Sequence, residues 1–439
     1  MMTLIFRVHK RKGNLTLLKL LHTFISCLVL CLLACSGNRN IGSENLSSVY
    51  KHAEKYYHPE FNIHFENDTV ALVAFKLNVN ELLKVKQPDG NYACFLKIEY
   101  RLIDSYDDAA VNDTGKYFFK IIPDNKLSEF KMFTFPVMVR NKHAQLLDLV
   151  LTDQNRKVSE AFFVGVDNVS NQGRHHFSVK YAVDSMPLFR KYLLDTDTFF
   201  ITHHIVTANR ARVDFYRRSF PLAPPPFAFE ERSAFDYLPD SIFYIGINDG
   251  TVFTFQEEGF YHVRLDSTVK EGLTLFRFSK GFPSVKTAAA MLEPARYLIS
   301  RKEYDEMKAD TNSKAAIERF WLEKGSNSER ARSLIKTFYN RVAEANKFFT
   351  SFTEGWRTDR GMLYLVFGQP NVVYKSADSE TWVYGQTNNP LSLNFFFTKV
   401  KNPFSDNDYL LNRSPIYEAS WYRAVDTWRQ GRAYNMNPY

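Results

Sequence analysis

Cysteine is scarce in this chain, and its scarcity limits how the fold can be stabilised. Four cysteines occur among 439 residues, and Cys27 and Cys31 fall in an apolar N-terminal stretch that we expect to be cleaved off. Cys35 follows that stretch directly, where we expect it to be modified. Cys94 is then the one thiol left, so no structural disulfide is expected in the mature chain. Because Cys94 lies in the apolar, strand-like run 93–100, we expect a buried core thiol.

The sequence also lacks the short motifs on which many phosphate-binding and hydrolytic sites depend. It has no glycine-rich loop ending in Gly-Lys-Ser/Thr and no Gly-x-Ser-x-Gly elbow, so neither class of site is supported. Histidines occur as adjacent pairs at 175–176 and 203–204, on expected strands, where one member of each pair could meet across a sheet. No cysteine or His-Glu-x-x-His spacing accompanies them. We therefore expect no metal site and no cofactor.

Positive charge is concentrated in the first 34 residues. Five Lys/Arg and no Asp/Glu lie there, followed by an apolar run over 20–33, which is typical of a signal peptide. Cleavage after residue 34 would lower the net charge from +8 to +3. A nucleic-acid partner then loses its compositional support and is not expected.

The residues Leu32-Leu33-Ala34-Cys35 resemble a bacterial lipobox. In such proteins the cysteine carries diacylglycerol and an acylated amino group, and several acyl chains together give stable anchoring. A transmembrane anchor is the alternative, but the apolar run is short and ends in a polar Ser/Gly/Asn stretch. By resemblance to lipoprotein sorting signals, the absence of Asp after Cys35 favours the outer membrane, and the lack of an acidic cluster favours its periplasmic side.

The remaining residues, about 405, are enough for two or three domains. Residues 35–56 are predicted to be the lipidated cysteine and a tether. From 57 to 284, short β-branched or aromatic runs alternate with turn signals such as Pro88-Asp89-Gly90. This spacing predicts two Ig-like antiparallel β-sandwich units, over 57–155 and 156–284.

The sequence period becomes helical from residue 285. We predict a helical segment over 285–352, with a capping-box start at Ser300 and a long amphipathic helix at its end. Residues 353–439 are predicted to be a small α+β domain with an antiparallel meander. Its expected strands are 362–367, 371–374, 381–385 and 391–398, and its expected closing helix covers 417–431, with Trp421 and Trp428 facing inward.

One motif stands out between these segments: Gly355-Trp356-Arg357-Thr358-Asp359-Arg360-Gly361, followed by Phe367-Gly368-Gln369-Pro370 and Glu380-Thr381-Trp382. It resembles the signature of the GWxTD-domain family, envelope proteins of Bacteroidota-type bacteria, most strongly over 298–439. The resemblance implies a location and an architecture but no reaction. It implies a motif or partner-binding role for Gly355, Trp356, Thr358, Asp359, Arg360, Gly361 and Trp382.

Three interpretations of this motif remain open. Glu354, Asp359 and Glu380 could supply the paired carboxylates of a glycan or peptide hydrolase, with Trp356 and Trp382 as stacking platforms. The Trp/Arg cluster could instead form a groove for a protein or glycan partner. We favour a structural interpretation, in which Asp359 caps a turn, Arg360 pairs with a nearby carboxylate, and Trp356 fills the junction between helix and sheet.

These expectations combine into one hypothesis about function. The protein is expected to be a lipid-anchored, non-enzymatic binding or assembly component of the cell envelope, on the periplasmic side of the outer membrane. Its partners would be the membrane, through Cys35, and an envelope protein or glycan. The hydrolase with Glu354, Asp359 and Glu380 is the alternative.

Overall fold

A computed structural model describes residues 41–51, 54–124, 129–204, 209–217, 219–229 and 235–436. The predicted signal peptide, 1–34, and the predicted lipidation site, Cys35, lie outside the described residues. Nineteen strands and six α-helices occur in the described part. The chain is mainly β, with antiparallel sheets followed by a helical C-terminal region, as the sequence predicts. None of the described helices is both long and apolar enough to cross a membrane.

The first β unit, residues 57–167, consists of two sheets that share one apolar core. Its strands are β1 (Glu60–Asn67), β2 (Val70–Asn78), β3 (Val85–Lys86), β4 (Tyr92–Ile103), β5 (Val111–Ile121), β6 (Phe130–Met138), β7 (Ala144–Asp153) and β8 (Val158–Asp167). One sheet has the order β1-β2-β6. In the other, β4 lies between β5 and β7, β8 follows β7, and the short β3 pairs with the start of β4. Cys94 on β4 is buried in this core, as predicted.

Strand β8 places the unit boundary later than the sequence predicts. It pairs with β7 over ten residues, so it belongs to the first β unit and not to a second unit starting at 156. The turn between them is a tight hairpin in which Asp153 accepts backbone hydrogen bonds from Asn155 and Arg156, and Lys157 has a φ of 60°. A polar hairpin turn of this kind resembles a linker in sequence, which explains the wrong boundary.

The second β unit, residues 177–277, has a five-stranded and a two-stranded sheet around its own core. Its strands are β9 (Phe177–Tyr181), β10 (Tyr192–Leu193), β11 (Phe199–His203), β12 (Arg210–Tyr216), β13 (Ser241–Gly246), β14 (Gly259–Arg264) and β15 (Leu273–Arg277). The larger sheet has the order β10-β15-β14-β12-β13, in which only the β10–β15 pair is parallel. The smaller sheet pairs β11 with β9.

Six α-helices occur in the described ranges. They are α1 (Ala288–Ala295), α2 (Arg301–Ala309), α3 (Ser313–Gly325), α4 (Ser328–Phe349), α5 (Asp359–Phe367) and α6 (Glu418–Arg429). Ser300 and Glu303 form the predicted capping box of α2. Asn312 and Asn327 accept the N-cap hydrogen bonds of α3 and α4. Trp421 and Trp428 of α6 are buried, as predicted.

Helix α5 corrects the predicted strand over 362–367. The Thr358 hydroxyl accepts a hydrogen bond from the Gly361 N–H at the helix start, and Gly368, with a φ of 86°, follows the last residue. All nine residues of α5 are buried. A short helix that is apolar on every side has no helical periodicity, and its sequence therefore resembles a buried strand.

A four-stranded antiparallel meander packs on these helices in the C-terminal core. Strands β16 (Val372–Lys375), β17 (Ser379–Tyr384) and β18 (Leu393–Lys399) correspond to the remaining predicted strands, and β19 (Tyr409–Leu411) completes the order β16-β17-β18-β19. The sequence analysis missed β19, which has only three residues and so carries almost no periodic signal.

The described start of the chain also belongs to the C-terminal core. Ile41, Leu46 and Tyr50 are buried among the helices and the meander, and the Leu46 N–H donates to the Val373 carbonyl at 2.8 Å. The tether predicted over 35–56 is therefore wrong for residues 41–51, which pack as part of the fold.

Phe404, in the loop between β18 and β19, connects the C-terminal core to the second β unit. Its ring is buried against Tyr216 on β12 and Phe260 on β14, with ring centroids 5.4 and 5.0 Å away. These aromatic rings lie on the outer face of the second unit's large sheet, so Phe404 covers apolar surface that would otherwise face solvent.

We predict that Phe404→Ala lowers the free energy of unfolding by about 3–5 kcal/mol, because a large buried ring is lost. Phe396→Ala on β18 is the matched control, since Phe396 is half exposed, and it should cost about 0.5 kcal/mol or less. Urea unfolding monitored by fluorescence measures both changes. Equal effects of the two substitutions would contradict the assigned role of Phe404.

Candidate functional site

The two glycines of the motif allow three backbone segments to pack directly against one another. A Cβ on Gly355 would lie 1.9 Å from the Ala345 carbonyl oxygen of α4, and a Cβ on Gly361 would lie 1.9 Å from the Gly355 oxygen. No side chain fits at either distance. Both positions therefore require glycine because of close backbone approach.

Side chains satisfy the backbone groups of the turn between α4 and α5. The Thr358 hydroxyl donates to the Gly355 carbonyl at 2.7 Å and accepts from the Gly361 N–H at 3.1 Å. The hydroxyl of Thr350 accepts from the Gly355 N–H at 3.1 Å, and Asn346 Oδ1 accepts from the Trp356 N–H at 3.3 Å. The threonine of the motif is thus the N-cap of α5.

Trp356 lies in the C-terminal core and is only 4% exposed. Its ring contacts the Tyr297 ring edge to face at 6.4 Å, and the Arg357 guanidinium covers it at 4.4 Å. This burial agrees with a structural role for Trp356, and its ring contacts are with Tyr297 and Arg357. It leaves little of the indole to stack on a ligand.

Asp359 forms a buried ion pair instead of capping a turn. Its carboxylate accepts two hydrogen bonds from Arg413 and one from the Leu411 N–H at 2.8 Å. Arg413 also donates to the Pro224 carbonyl at 3.1 Å. Asp359 therefore joins the start of α5 to β19. Through Arg413 it also joins the start of α5 to the proline-rich segment 221–226. The predicted turn-capping role belongs to Thr358.

Arg360 and Glu380 form the centre of a second buried network, which we call the Glu380 cluster: Tyr50, Arg360, Lys375, Glu380 and Trp382. The Glu380 side chain is completely buried. Its Oε1 accepts from the Tyr50 hydroxyl at 2.5 Å and from Trp382 Nε1 at 2.6 Å. Its Oε2 lies 3.1 Å from Arg360 Nη1 and 3.5 Å from Lys375 Nζ. The prediction that Arg360 pairs with a carboxylate is confirmed.

The charges of this cluster fix its protonation states. Burial raises the pKa of Glu380, but Lys375 and Arg360 and the hydrogen bonds from Trp382 and Tyr50 outweigh it, so that its pKa lies below the usual value. Burial, then Glu380, raises the pKa of Tyr50 well above its usual value. Glu380 is therefore an ionised hydrogen-bond acceptor and Tyr50 a neutral donor. This pair stabilises the core, and neither pKa is shifted toward neutral pH as in a catalytic acid/base pair.

Glu354, the third candidate carboxylate, pairs with Arg357 at 3.0 Å near the protein surface. The three carboxylates thus bind three different cationic partners, and Asp359 and Glu380 are almost fully buried. Two surface cavities are lined by residues of the first β unit and of the C-terminal region, and none of the three carboxylates lines either one. The geometry gives the hydrolase hypothesis no support.

Some residues of the site were not found from the sequence. Tyr50 lies in the segment assigned to the tether, and Lys375 and Arg413 lie outside the motif. Asn407 was missed as well: it accepts from Arg360 Nη2 and donates to the Phe348 and Thr350 carbonyls. Only the apolar spacing of Ile41, Leu46 and Tyr50 could have indicated that this segment packs. No group of three or more potential metal ligands occurs in the described ranges.

Comparison with known protein families gives one match to part of this chain. Residues 259–430 match the GWxTD domain family. The chain therefore contains a GWxTD domain. The match begins at Gly259 on β14, so the GWxTD domain includes the last two strands of the second β unit together with the six described helices and the whole meander.

Other comparisons add little to this assignment. No curated protein matches the chain. A glycosyl hydrolase family 2 (GH2) member from Bacteroides cellulosilyticus DSM 14838 is 11% identical, with 32% of this chain and 18% of that chain covered, at a TM-score of 0.19. The chain thus spans less than a fifth of that protein, and a likeness at this level carries no argument about fold or activity.

We predict that Glu380→Gln lowers the free energy of unfolding by about 3–5 kcal/mol, because Arg360 and Lys375 lose their buried counter-charge. Glu354→Gln is the matched control and should cost about 0–1 kcal/mol, as expected for a partly exposed pair. Guanidinium unfolding of both variants measures the difference. A Glu380→Gln protein as stable as the parent would refute the structural role of the cluster.

Proposed function

We propose that this GWxTD-domain protein is a lipid-anchored cell-envelope protein that binds or assembles with an envelope partner and is not an enzyme. We place it on the periplasmic side of the outer membrane, anchored at Cys35. We also propose that its two β units are Ig-like sandwiches. The observation that carries the binding role is a contrast: the charged groups of the motif are paired within the protein, whereas large apolar side chains stay exposed on the first β unit.

These side chains lie on two neighbouring strands, β5 and β6, each of which pairs with another strand on one side only among the described residues. The Tyr117 hydroxyl donates to the Pro136 carbonyl at 3.3 Å, and the Met138 N–H donates to Asp113 Oδ2 at 2.8 Å, which holds the two strands together. We define the edge surface as five exposed apolar residues on these strands or directly after β5: Phe118, Ile122, Phe130, Met132 and Met138.

Two properties make the edge surface suitable for a protein partner. Edge strands present unpaired backbone groups to which an extended segment can add as a further strand. Large apolar side chains beside that edge, such as Phe118 at 69% exposure, supply pockets and contact area for the added segment. We therefore propose an extended protein segment as the partner, in preference to a glycan.

The position of residues 41–51 supports a role for the motif in anchoring. Cys35 precedes Ile41 by six residues, and the segment that follows packs into the C-terminal core and contacts Glu380 through Tyr50. In this proposal, the motif stabilises the core on which the anchored end of the chain packs. The motif residues concerned are Gly355, Thr358, Asp359 and Arg360.

We expect the protein to incorporate radiolabelled palmitate and to partition with membranes, and Cys35→Ser to lose both properties, because the acylated thiol is absent. Cys94→Ser is the control, since its thiol is buried within the first β unit. Palmitate in the Cys35→Ser protein, or its absence from the parent, would contradict the lipid anchor.

We expect Phe118→Ser/Met132→Ser to abolish crosslinking to an envelope protein that the parent captures, with little change in unfolding midpoint. Leu391→Ser, at a still more exposed position in the GWxTD domain, should leave crosslinking unchanged. Photocrosslinking in envelope extract followed by mass spectrometry measures both. Loss of crosslinking in the Leu391→Ser protein, or unchanged crosslinking in the double variant, would contradict the proposal that the edge surface binds the partner.

A further inference from the structure

Five histidines meet where the first and second β units adjoin. We call this set the histidine joint: His64 on β1, His175 and His176 in the 3₁₀ turn before β9, His203 at the end of β11, and His204 after it. One member of each adjacent pair does meet the other, which the sequence analysis left open, since the rings of His176 and His204 stack with centroids 4.7 Å apart. The first pair, however, lies in a turn and not on a strand.

The contact between His176 and His204 depends on their neutral forms. Their Nδ1 atoms are 3.3 Å apart, so one ring must donate a proton and the other must keep a bare nitrogen. The Nε2 atom of each ring is buried without a hydrogen-bond partner in the described structure. Protonation of the acceptor Nδ1 would break this hydrogen bond, and proton uptake by both rings would place two positive charges side by side.

His175 needs its neutral form for a different reason. Its Nδ1 accepts a hydrogen bond at 3.0 Å from the backbone N–H of Asp167, the last residue of β8. An imidazolium has no acceptor nitrogen, so protonation at Nδ1 removes this bond. Phe65 on β1 packs on the His176 ring at 4.5 Å and on the His175 ring at 6.0 Å. Strands of the first unit thus contact the histidines directly.

Burial and the neighbouring charges disfavour the protonated, imidazolium forms of the histidines in the joint. Burial lowers the pKa of His175 to about 3, with Arg174 adding to the effect against Asp167 and Asp406. Burial, then His204 and His203, lowers the pKa of His176 to about 3.

His64 and His204 complete the set of charges at the joint. Burial, then Lys180, lowers the pKa of His64, while Glu66 opposes the change. Asp68 has one carboxylate oxygen 3.8 Å from His204 Nε2, too far for a hydrogen bond. The acidic groups facing the joint are therefore too few or too distant to compensate several buried positive charges.

We propose that the histidine joint is a pH-sensitive contact, closed when its imidazoles are neutral and opened by proton uptake before either β unit unfolds. Opening loosens the contact between the first β unit, which carries the edge surface, and the second. The proposal is independent of the lipid anchor and of any partner.

Hydrogen exchange of the full chain between pH 7.5 and pH 4.5, corrected for the intrinsic rate, tests this proposal. For each histidine that protonates only in the open joint, the equilibrium constant for opening should rise on the order of tenfold for each pH unit below about 6.5. The peptide over 166–176, which includes the Asp167 amide bonded to His175, should therefore lose protection on acidification while β4, β12 and α4 keep theirs. Simultaneous loss in the joint and in these core elements would overturn the proposal.

His176→Asn/His204→Asn is the decisive variant, because asparagine keeps a hydrogen-bonding group near the Nδ1 position and does not titrate. Its joint should stay protected down to a lower pH. His143→Asn is the control, since His143 is exposed and bonds to the nearby Asn141 carbonyl, and it should respond as the parent does. If the double variant fails to fold, His175→Asn should still reduce the pH response. If the folded variants lose protection at the same pH as the parent, the proposal that the histidine joint senses pH is refuted.

Discussion

The buried charge of Glu380 is the constraint on which the C-terminal core depends. A carboxylate without solvent is tolerated only when cations and hydrogen-bond donors surround it. Here those groups come from distant parts of the chain: Tyr50 near its start, Arg360 in the motif, and Lys375 and Trp382 on the meander. The cluster can be satisfied only when these segments have assembled, and it therefore selects one arrangement of the core.

The motif is explained by packing geometry more fully than by chemistry. Gly355 and Gly361 permit backbone contact, Thr358 begins α5, and Asp359 and Arg360 each hold a different partner segment. Each residue type is required by its position, and none of these groups is left free to act on a substrate. A motif with many defined positions can therefore mark a structural junction, and function is to be sought on exposed surfaces.

The sequence predicts the local features of this fold better than the non-local ones. Helix starts such as Ser300 depend on neighbouring residues and are correct, as is the inward orientation of Trp421. Helix α5 was mistaken for a strand because burial on every side removes its periodicity. The role of Tyr50 could not be predicted, because its partner Glu380 is 330 residues away. The structural interpretation favoured for Trp356 agrees with its burial, but the packing of segment 41–51 in the same core was not predicted.

The three parts of the protein are joined by contacts of different physical kinds, and this difference bears on how it can respond to its surroundings. Phe404 joins the C-terminal core to the second β unit through apolar packing, which is insensitive to pH. The Arg174–Asp406 pair, at 2.9 Å, ties the same region to the turn that carries His175. The first β unit meets the second at the histidine joint, through neutral imidazoles, and through the hydrogen bond from Asn62 to the Leu188 carbonyl. Acid therefore acts first at the histidine joint, while the buried ion pairs of the core keep residues 41–51 in place.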